Sequence, residues 1–190
     1  MNLPLNTSID IHDPVEQARY NMVEQQIRPW NVLDAGVLEL LSRVRREDFV
    51  PPSYQGLAFI DTEIPLNPDA QEAARLGQVM LAPRADARML QALQIQPTDR
   101  VLEIGAGSGY MAALLAACAE RVVTLEIDPD LAEFARENLR SAGVDNADVR
   151  QADLHALWQA LEPLGLATPN IGTLADMICC PGLDFCSLAN

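Results

Sequence analysis

Glu103, Gly105, Gly107, Gly109, Glu126 and Asp153 are the residues of this sequence whose types and spacing suit chemistry. The three glycines alternate in Gly105-Ala106-Gly107-Ser108-Gly109, directly after the apolar run at 101–104 and just before an alanine-rich segment at 111–119. A buried parallel strand, a tight turn and a helix start have this form. Glycine belongs there because the backbone must bend sharply and admit a ligand where a β-carbon would clash. The helix start beyond the turn offers free N–H groups and a positive dipole end to a polar or anionic ligand.

Three cofactor classes compete for such a turn. A nicotinamide or flavin dinucleotide wants G-x-G-x-x-G, and here Tyr110 stands where the third glycine would be. A P-loop needs a lysine, and all 13 basic residues of this chain are arginines. S-adenosylmethionine remains, carrying an amine and a carboxylate in place of a pyrophosphate. Glu103, just before the turn, is placed to receive the ammonium. The backbone of Gly105, Ala106, Gly107 and Gly109 would lie under the carboxylate and ribose. Glu126 follows about 20 residues after the glycines, where nucleotide-binding folds put the acid that holds the ribose hydroxyls. Asp153, ending a third strand, is placed to reach the adenine. The plainer alternative is that each acid is only a solvated strand end.

The elements that position these residues can be read in order. Residues 1–13 form a loose leader, and residues 14–190 a single domain. Within it, 14–96 is an N-terminal helical and acceptor-side region, 97–153 a cofactor-binding core, and 154–190 an atypical or truncated tail. Helical periodicity starts near Pro14, with Val15, Ala18, Met22, Val23 and Ile27 toward one face, and breaks at Arg28-Pro29-Trp30-Asn31. A second helix begins at Asp34 as N-cap and carries Val37, Leu38, Leu40, Leu41 and Val44. Residues 53–68 read as irregular, anchored by Tyr54, Leu57, Phe59 and Ile60. Residues 69–76 read as an acidic, alanine-rich surface excursion. The next helix buries Ala85, Met89, Leu90 and Leu93. Strands at 101–104, 121–126 and 148–153 alternate with helices, the second of which starts at Asp128-Pro129. The expected fold is α/β, a doubly wound and mostly parallel Rossmann-like sheet with an N-terminal helical layer. Residues 155–167 suggest a helix and 175–180 a fourth strand, with the last strands of such a sheet missing.

Composition narrows the function. Hydrophobic residues make up 49% of the chain and charged residues 21%, a globular balance. A formal net charge of −14 gives little counterion release on a polyphosphate, so nucleic acid is not an expected partner. The one basic cluster, Arg43, Arg45 and Arg46, reads as a solvated helix face. No run reaches the roughly 18–20 apolar residues of a membrane span, and the N-terminus lacks a signal peptide's pattern, so a cytoplasmic location and no membrane partner are expected. Cys179-Cys180 and the distant His12 and His155 lack zinc-site spacing, and no metal is expected.

Taken in order, Val44-Arg45-Arg46-Glu47-Asp48-Phe49-Val50-Pro51, Ala58-Phe59-Ile60-Asp61, the glycine strand and turn at 101–110, and Val123-Thr124-Leu125-Glu126 resemble the protein-L-isoaspartate O-methyltransferases. The glycine motif alone indicates a class I methyltransferase; the two segments ahead of it are specific to this family. The resemblance covers residues 18–153. It implies transfer of a methyl group from S-adenosylmethionine to the free α-carboxylate of an L-isoaspartyl residue in a protein or peptide. It also implies that Glu103, Gly105, Gly107, Gly109, Glu126 and Asp153 are cofactor residues. Gln78, Val79, Met80 and Leu81 occupy the place of the family's Gln-Thr-Ile-Ser motif, so Leu81 replaces the active-site serine. Leu154 replaces the usual glycine after the third-strand acid. A catalytically impaired S-adenosylmethionine-binding homologue and a small-molecule methyltransferase therefore stay open as alternatives. A nucleic-acid adenine methyltransferase fits neither the charge nor the absence of an Asn/Asp-Pro-Pro-aromatic segment.

Overall fold

The structure, a computed structural model, describes residues 13–153 and the strand Ile178–Cys179. Its contacts divide the chain into two compact units, Met1–Ala74 with Gln78–Ile95, and Arg75–Gly77 with Gln96–Asn190. All of the expected leader except Asp13, and the expected helix at 155–167, lie outside the described residues.

The first unit opens with α1 (Pro14–Asn21), whose N-cap Asp13 accepts the Val15 N–H and whose first position is proline. The helix then widens to a π-helical turn, Met22–Ile27, and tightens to a 3-10 turn, Arg28–Trp30. Asn31 leaves it at φ +68°, in the left-handed region that asparagine tolerates. Met22, Val23 and Ile27 are buried as the periodicity implies, whereas Val15 is exposed. In α2 (Ala35–Arg43) the Asp34 carboxylate caps the Val37 N–H at 3.0 Å, and Leu38, Leu40 and Leu41 face inward. The exit from α2 folds into 3-10 turns at Arg46–Phe49 and Pro52–Leu57.

A two-residue strand, β1 (Ile64–Pro65), pairs antiparallel with β2 (Val79–Met80). Between them residues expected as a surface excursion form α3 (Ala70–Leu76). Asp69 Oδ1 accepts the Gln71 and Glu72 N–H groups, and only Ala73 is buried. The segment is a capped helix because an aspartate followed by alanine, glutamine and glutamate satisfies both capping and propensity. Likewise Ala58, not Ile60, is the buried anchor of its segment; Ile60 is exposed.

The helix α4 (Pro83–Leu93) corrects two readings of the sequence. Its buried face is Pro83, Asp86, Ala87 and Leu90; Ala85, Met89 and Leu93 are half-buried. An aspartate lies on the inner face because its partner is Arg46, which is 0% exposed and so is no part of a solvated helix face. Arg46 Nη1 donates to Asp86 Oδ2 at 2.8 Å, Nε to the Ala58 carbonyl at 3.0 Å, and Nη2 to the Leu81 carbonyl. Arg43 and Arg45 remain exposed.

In the second unit, four parallel strands lie in the order β5-β4-β3-β6: β3 (Arg100–Ile104), β4 (Arg121–Glu126), β5 (Ala147–Gln151) and β6 (Ile178–Cys179). The fourth strand expected at 175–180 is thus present as β6. Right-handed strand–helix–strand crossovers require helices between parallel neighbours. These are α5 (Tyr110–Ala116) and α6 (Pro129–Ser141). Asp128 caps α6 through the Asp130 and Leu131 N–H groups. Leu131, Ala132, Ala135 and Leu139 form its buried stripe. No helix among the described residues is long and apolar enough to cross a membrane.

Two features of this packing predict stability. Arg46→Ala removes the donors that answer the buried Asp86 carboxyl and the Ala58 and Leu81 carbonyls, and should cost about 3–5 kcal/mol in urea unfolding. Burial pushes the Asp86 carboxyl up to about 7 from 3.8, against the pull of Arg46. The folded chain then holds a proton that the unfolded chain has released, so this contribution is complete below pH 4 and lost as pH rises through about 7. Melting temperature should fall from pH 5 to 8, and Asp86→Asn should flatten that slope. Gly109 sits at φ +82°, and a Cβ there would lie 3.1 Å from the Ala135 carbonyl oxygen on α6. Gly109→Ala should therefore cost about 1–3 kcal/mol by the same unfolding measurement.

Candidate functional site

The glycine turn follows β3 without a break. The N–H groups of Gly105 and Ala106 both donate to the Leu125 carbonyl, at 2.7 and 3.2 Å, and bind the turn to the end of β4. Gly105, Gly107 and Gly109 all have positive φ, at 89°, 52° and 82°, so the chain reverses with no side chain at any of the three. Gly109 N–H closes the turn on the Ala106 carbonyl at 2.7 Å, and α5 begins at the next residue. The place of Gly109 against α6 explains the spacing: it provides the close packing that a dinucleotide fingerprint obtains one residue later.

Glu126, the last residue of β4, is 6% exposed and lies across the same turn. Its Oε2 accepts the Gly107 N–H at 2.9 Å; its Oε1 accepts those of Ile127 and Asp128 at 2.9 and 3.1 Å. A carboxylate has about four acceptor positions, so these three bonds leave one on Oε2 for a further donor. Glu103 is buried one position before the end of β3, in register with Thr124 and Ile178. Past β5, which ends two residues earlier than the expected strand, Ala152 N–H donates to the Glu126 carbonyl at 2.9 Å. That bond brings the exposed Asp153 to the same carboxyl edge of the sheet.

The structure thus bonds Gly107 to Glu126 and Gly109 to Ala106, and ties Gly105 and Ala106 to the neighbouring Leu125 carbonyl, with Glu103 and Asp153 on the same edge. It also adds two residues that the sequence reading did not single out for the site. Asn138 Nδ2, on α6, donates to the Ser108 carbonyl at 2.9 Å, and the buried Ser108 Oγ accepts the Tyr110 N–H at 3.4 Å. The signal for Asn138 in the sequence is a carboxamide amid the apolar stripe of Leu131, Ala135 and Leu139. The site fits a ligand of mixed charge. Three acids line the edge, and no basic residue occurs from 101 to 120 to offset a pyrophosphate, so a sulfonium with an ammonium suits this edge better.

In the first unit the motif segments are held by buried polar groups. Arg46 binds the carbonyls of Ala58 and Leu81. Gln26 bridges the neighbouring backbone, donating to the Phe59 carbonyl at 3.0 Å and accepting the Asp61 N–H at 2.9 Å. Leu81 lies just after β2 and half-buried, with no hydroxyl to offer.

Comparison with known proteins agrees with this architecture. The family model described as protein-L-isoaspartate(D-aspartate) O-methyltransferase matches residues 17–171. A protein-L-isoaspartate O-methyltransferase of Aeropyrum pernix is 46% identical over 69% of this chain and 48% of its own length. One from Methanoculleus marisnigri is 42% identical over 74% of this chain and 60% of its own. The chain therefore spans about half to three fifths of these relatives' length. Among solved structures, a protein-L-isoaspartate O-methyltransferase superposes with a TM-score of 0.59 at 22% identity, covering 73% of this chain and 42% of that one. A structure from Plasmodium falciparum described as the same kind of enzyme, in complex with S-adenosyl-L-homocysteine, gives 0.56 at 19% identity, covering 78% and 69%. Those two likenesses establish the class I methyltransferase fold. With the matching family model and the sequence relatives, they place the chain in the protein-L-isoaspartate(D-aspartate) O-methyltransferase family.

Proposed function

We propose that this chain binds S-adenosylmethionine at the glycine turn and methylates the α-carboxylate of L-isoaspartyl residues in damaged proteins or peptides. The observation that carries the reading is the tie between Glu126 and the Gly107 N–H across a turn free of side chains, at the carboxyl edge of a parallel sheet. Glu126 would accept a ribose hydroxyl at its remaining position, Glu103 would hold the ammonium, Asp153 the adenine, and the backbone of Gly105, Ala106, Gly107 and Gly109 the remainder. The division of the chain between Ile95 and Gln96 supports a cofactor core at 97–153 and an acceptor-side region at 14–96.

Bound there, S-adenosylmethionine supplies a methyl group on a sulfonium. The acceptor carboxylate is ionised at neutral pH, so the protein needs no strong general base. Its work is alignment: holding acceptor oxygen, methyl and sulfur in line, which can contribute a large share of the barrier reduction. Arg46 serves that end by fixing the backbone at Ala58 and Leu81. A second reading, an S-adenosylmethionine-binding protein impaired in transfer, is favoured by Leu81, whose side chain has no donor and whose carbonyl is already engaged by Arg46.

Methyl transfer to an isoaspartyl peptide, compared with its aspartyl twin, tests the function. Transfer to the first alone is expected; saturable cofactor binding in calorimetry without transfer would select the second reading. Gly107→Val should abolish cofactor binding in a sample shown to be folded, since a β-branched side chain at φ +52° meets the ligand's path. Unchanged affinity would refute the placement.

A further inference from the structure

Arg84 occupies the first turn of α4, three residues after Leu81, and is anchored in a way that stability alone does not require. Its backbone N–H donates to Asp61 Oδ1 at 3.2 Å, and its Nε pairs with Asp61 Oδ2, also at 3.2 Å. Its guanidinium lies 4.0 Å from the centroid of the Trp30 ring. Asp61 in turn is set by Gln26 through its own N–H. Two contacts with one carboxylate and one aromatic face fix the plane and direction of the guanidinium. The terminal Nη1 and Nη2 donors make no hydrogen bond among the described residues. The Arg84 side chain is 34% exposed and Trp30 53%.

Ion pairs and cation–π contacts this open to water contribute little to folding, while ordering an arginine costs side-chain entropy. A guanidinium held rigid with its outer edge unfilled is, however, the geometry that receives a carboxylate bidentately. Trp30 adds an exposed flat surface suited to the apolar part of a peptide. In a chain of net charge −14, a carboxylate-bearing peptide is repelled by most of the surface, which makes a fixed cation beside the acceptor motif informative.

We propose that Arg84, oriented by Asp61 and Trp30, docks a carboxylate of the acceptor peptide. The inference rests on the proposed methylation of isoaspartyl peptides and names the group that recognises their charge. The carboxylate is either the isoaspartyl α-carboxylate or that of an acidic neighbour in the peptide. Both present the same chemistry to the fork. Because methylation removes the charge of the first, a fork reading that group would bind substrate more tightly than its ester product.

Calorimetry with the whole chain and S-adenosyl-L-homocysteine tests this on three peptides. One is isoaspartyl with neutral neighbours, one has that carboxylate amidated, and one is amidated with an adjacent glutamate. At least one carboxylate-bearing peptide should bind the unaltered protein at least tenfold more tightly than the neutral one. Arg84→Gln should abolish that preference, Arg84→Lys should restore part of it, and Arg88→Gln, an exposed arginine one turn along α4, should leave it intact. Loss confined to the first peptide identifies the isoaspartyl carboxylate; loss confined to the third identifies the acidic neighbour. No preference in the unaltered protein, an unchanged preference in Arg84→Gln, or equal weakening of the neutral peptide would each overturn the proposal. Carboxylate-dependent binding without methyl transfer would instead overturn the proposed function and leave the docking role standing.

Discussion

A guanidinium sealed from water must have its donors answered by protein, and Arg46 is the residue around which the first unit meets that demand. Its partners are the Ala58 carbonyl, the Leu81 carbonyl and Asp86, the last two from the single stretch 81–86 that leads into α4. Desolvating such a pair is expensive, and an apolar replacement of similar volume would often be as stable. What the arginine provides instead is direction: carbonyls accept only along certain lines, so the backbone at 58 and 81 is set in angle as well as in position. The segment ending at Leu81 is thereby held through its backbone, independently of which side chain stands at 81.

The second unit solves a parallel problem with the opposite charge. Glu126 is an anion with little exposure, answered by three backbone N–H groups, among them one from the glycine turn. In each unit, then, a single buried ion collects backbone groups from separate segments. The family motifs near 46, 58, 103 and 126 are in large part the places where those segments are gathered.

Much of the sheet was legible in the sequence, because parallel strands leave unbroken apolar runs such as Val101-Leu102 and Val122-Val123, which are buried or half-buried here. Helix starts at Asp34 and Asp128 were equally clear, since capping is a local property of the chain. What sequence reasoning missed depends on tertiary partners. Arg46 has the composition of a surface residue, and nothing nearby in sequence announces Asp86, 40 positions away, on an inward face. The same ignorance misplaced the buried stripe of α4, where apolar count favoured Met89 and Leu93 while the arginine drew Asp86 inward. For the site, types and spacing found the glycines and acids. They did not show that Glu126 is bonded to the turn itself, because a bond between residues 107 and 126 follows from strand register.

The turn is also one arc of a closed circuit. Gly107 is bonded to Glu126, which also accepts the N–H of Asp128; Asp128 caps α6; and Asn138, further along α6, returns to the carbonyl of Ser108, next to Gly107. A loop closed in this way cannot relax at one point without straining the others. Its shape is therefore settled before any ligand arrives, and an incoming molecule has little backbone ordering left to do. Affinity at such a cradle reports the contacts made, with only a small deduction for organising the receptor.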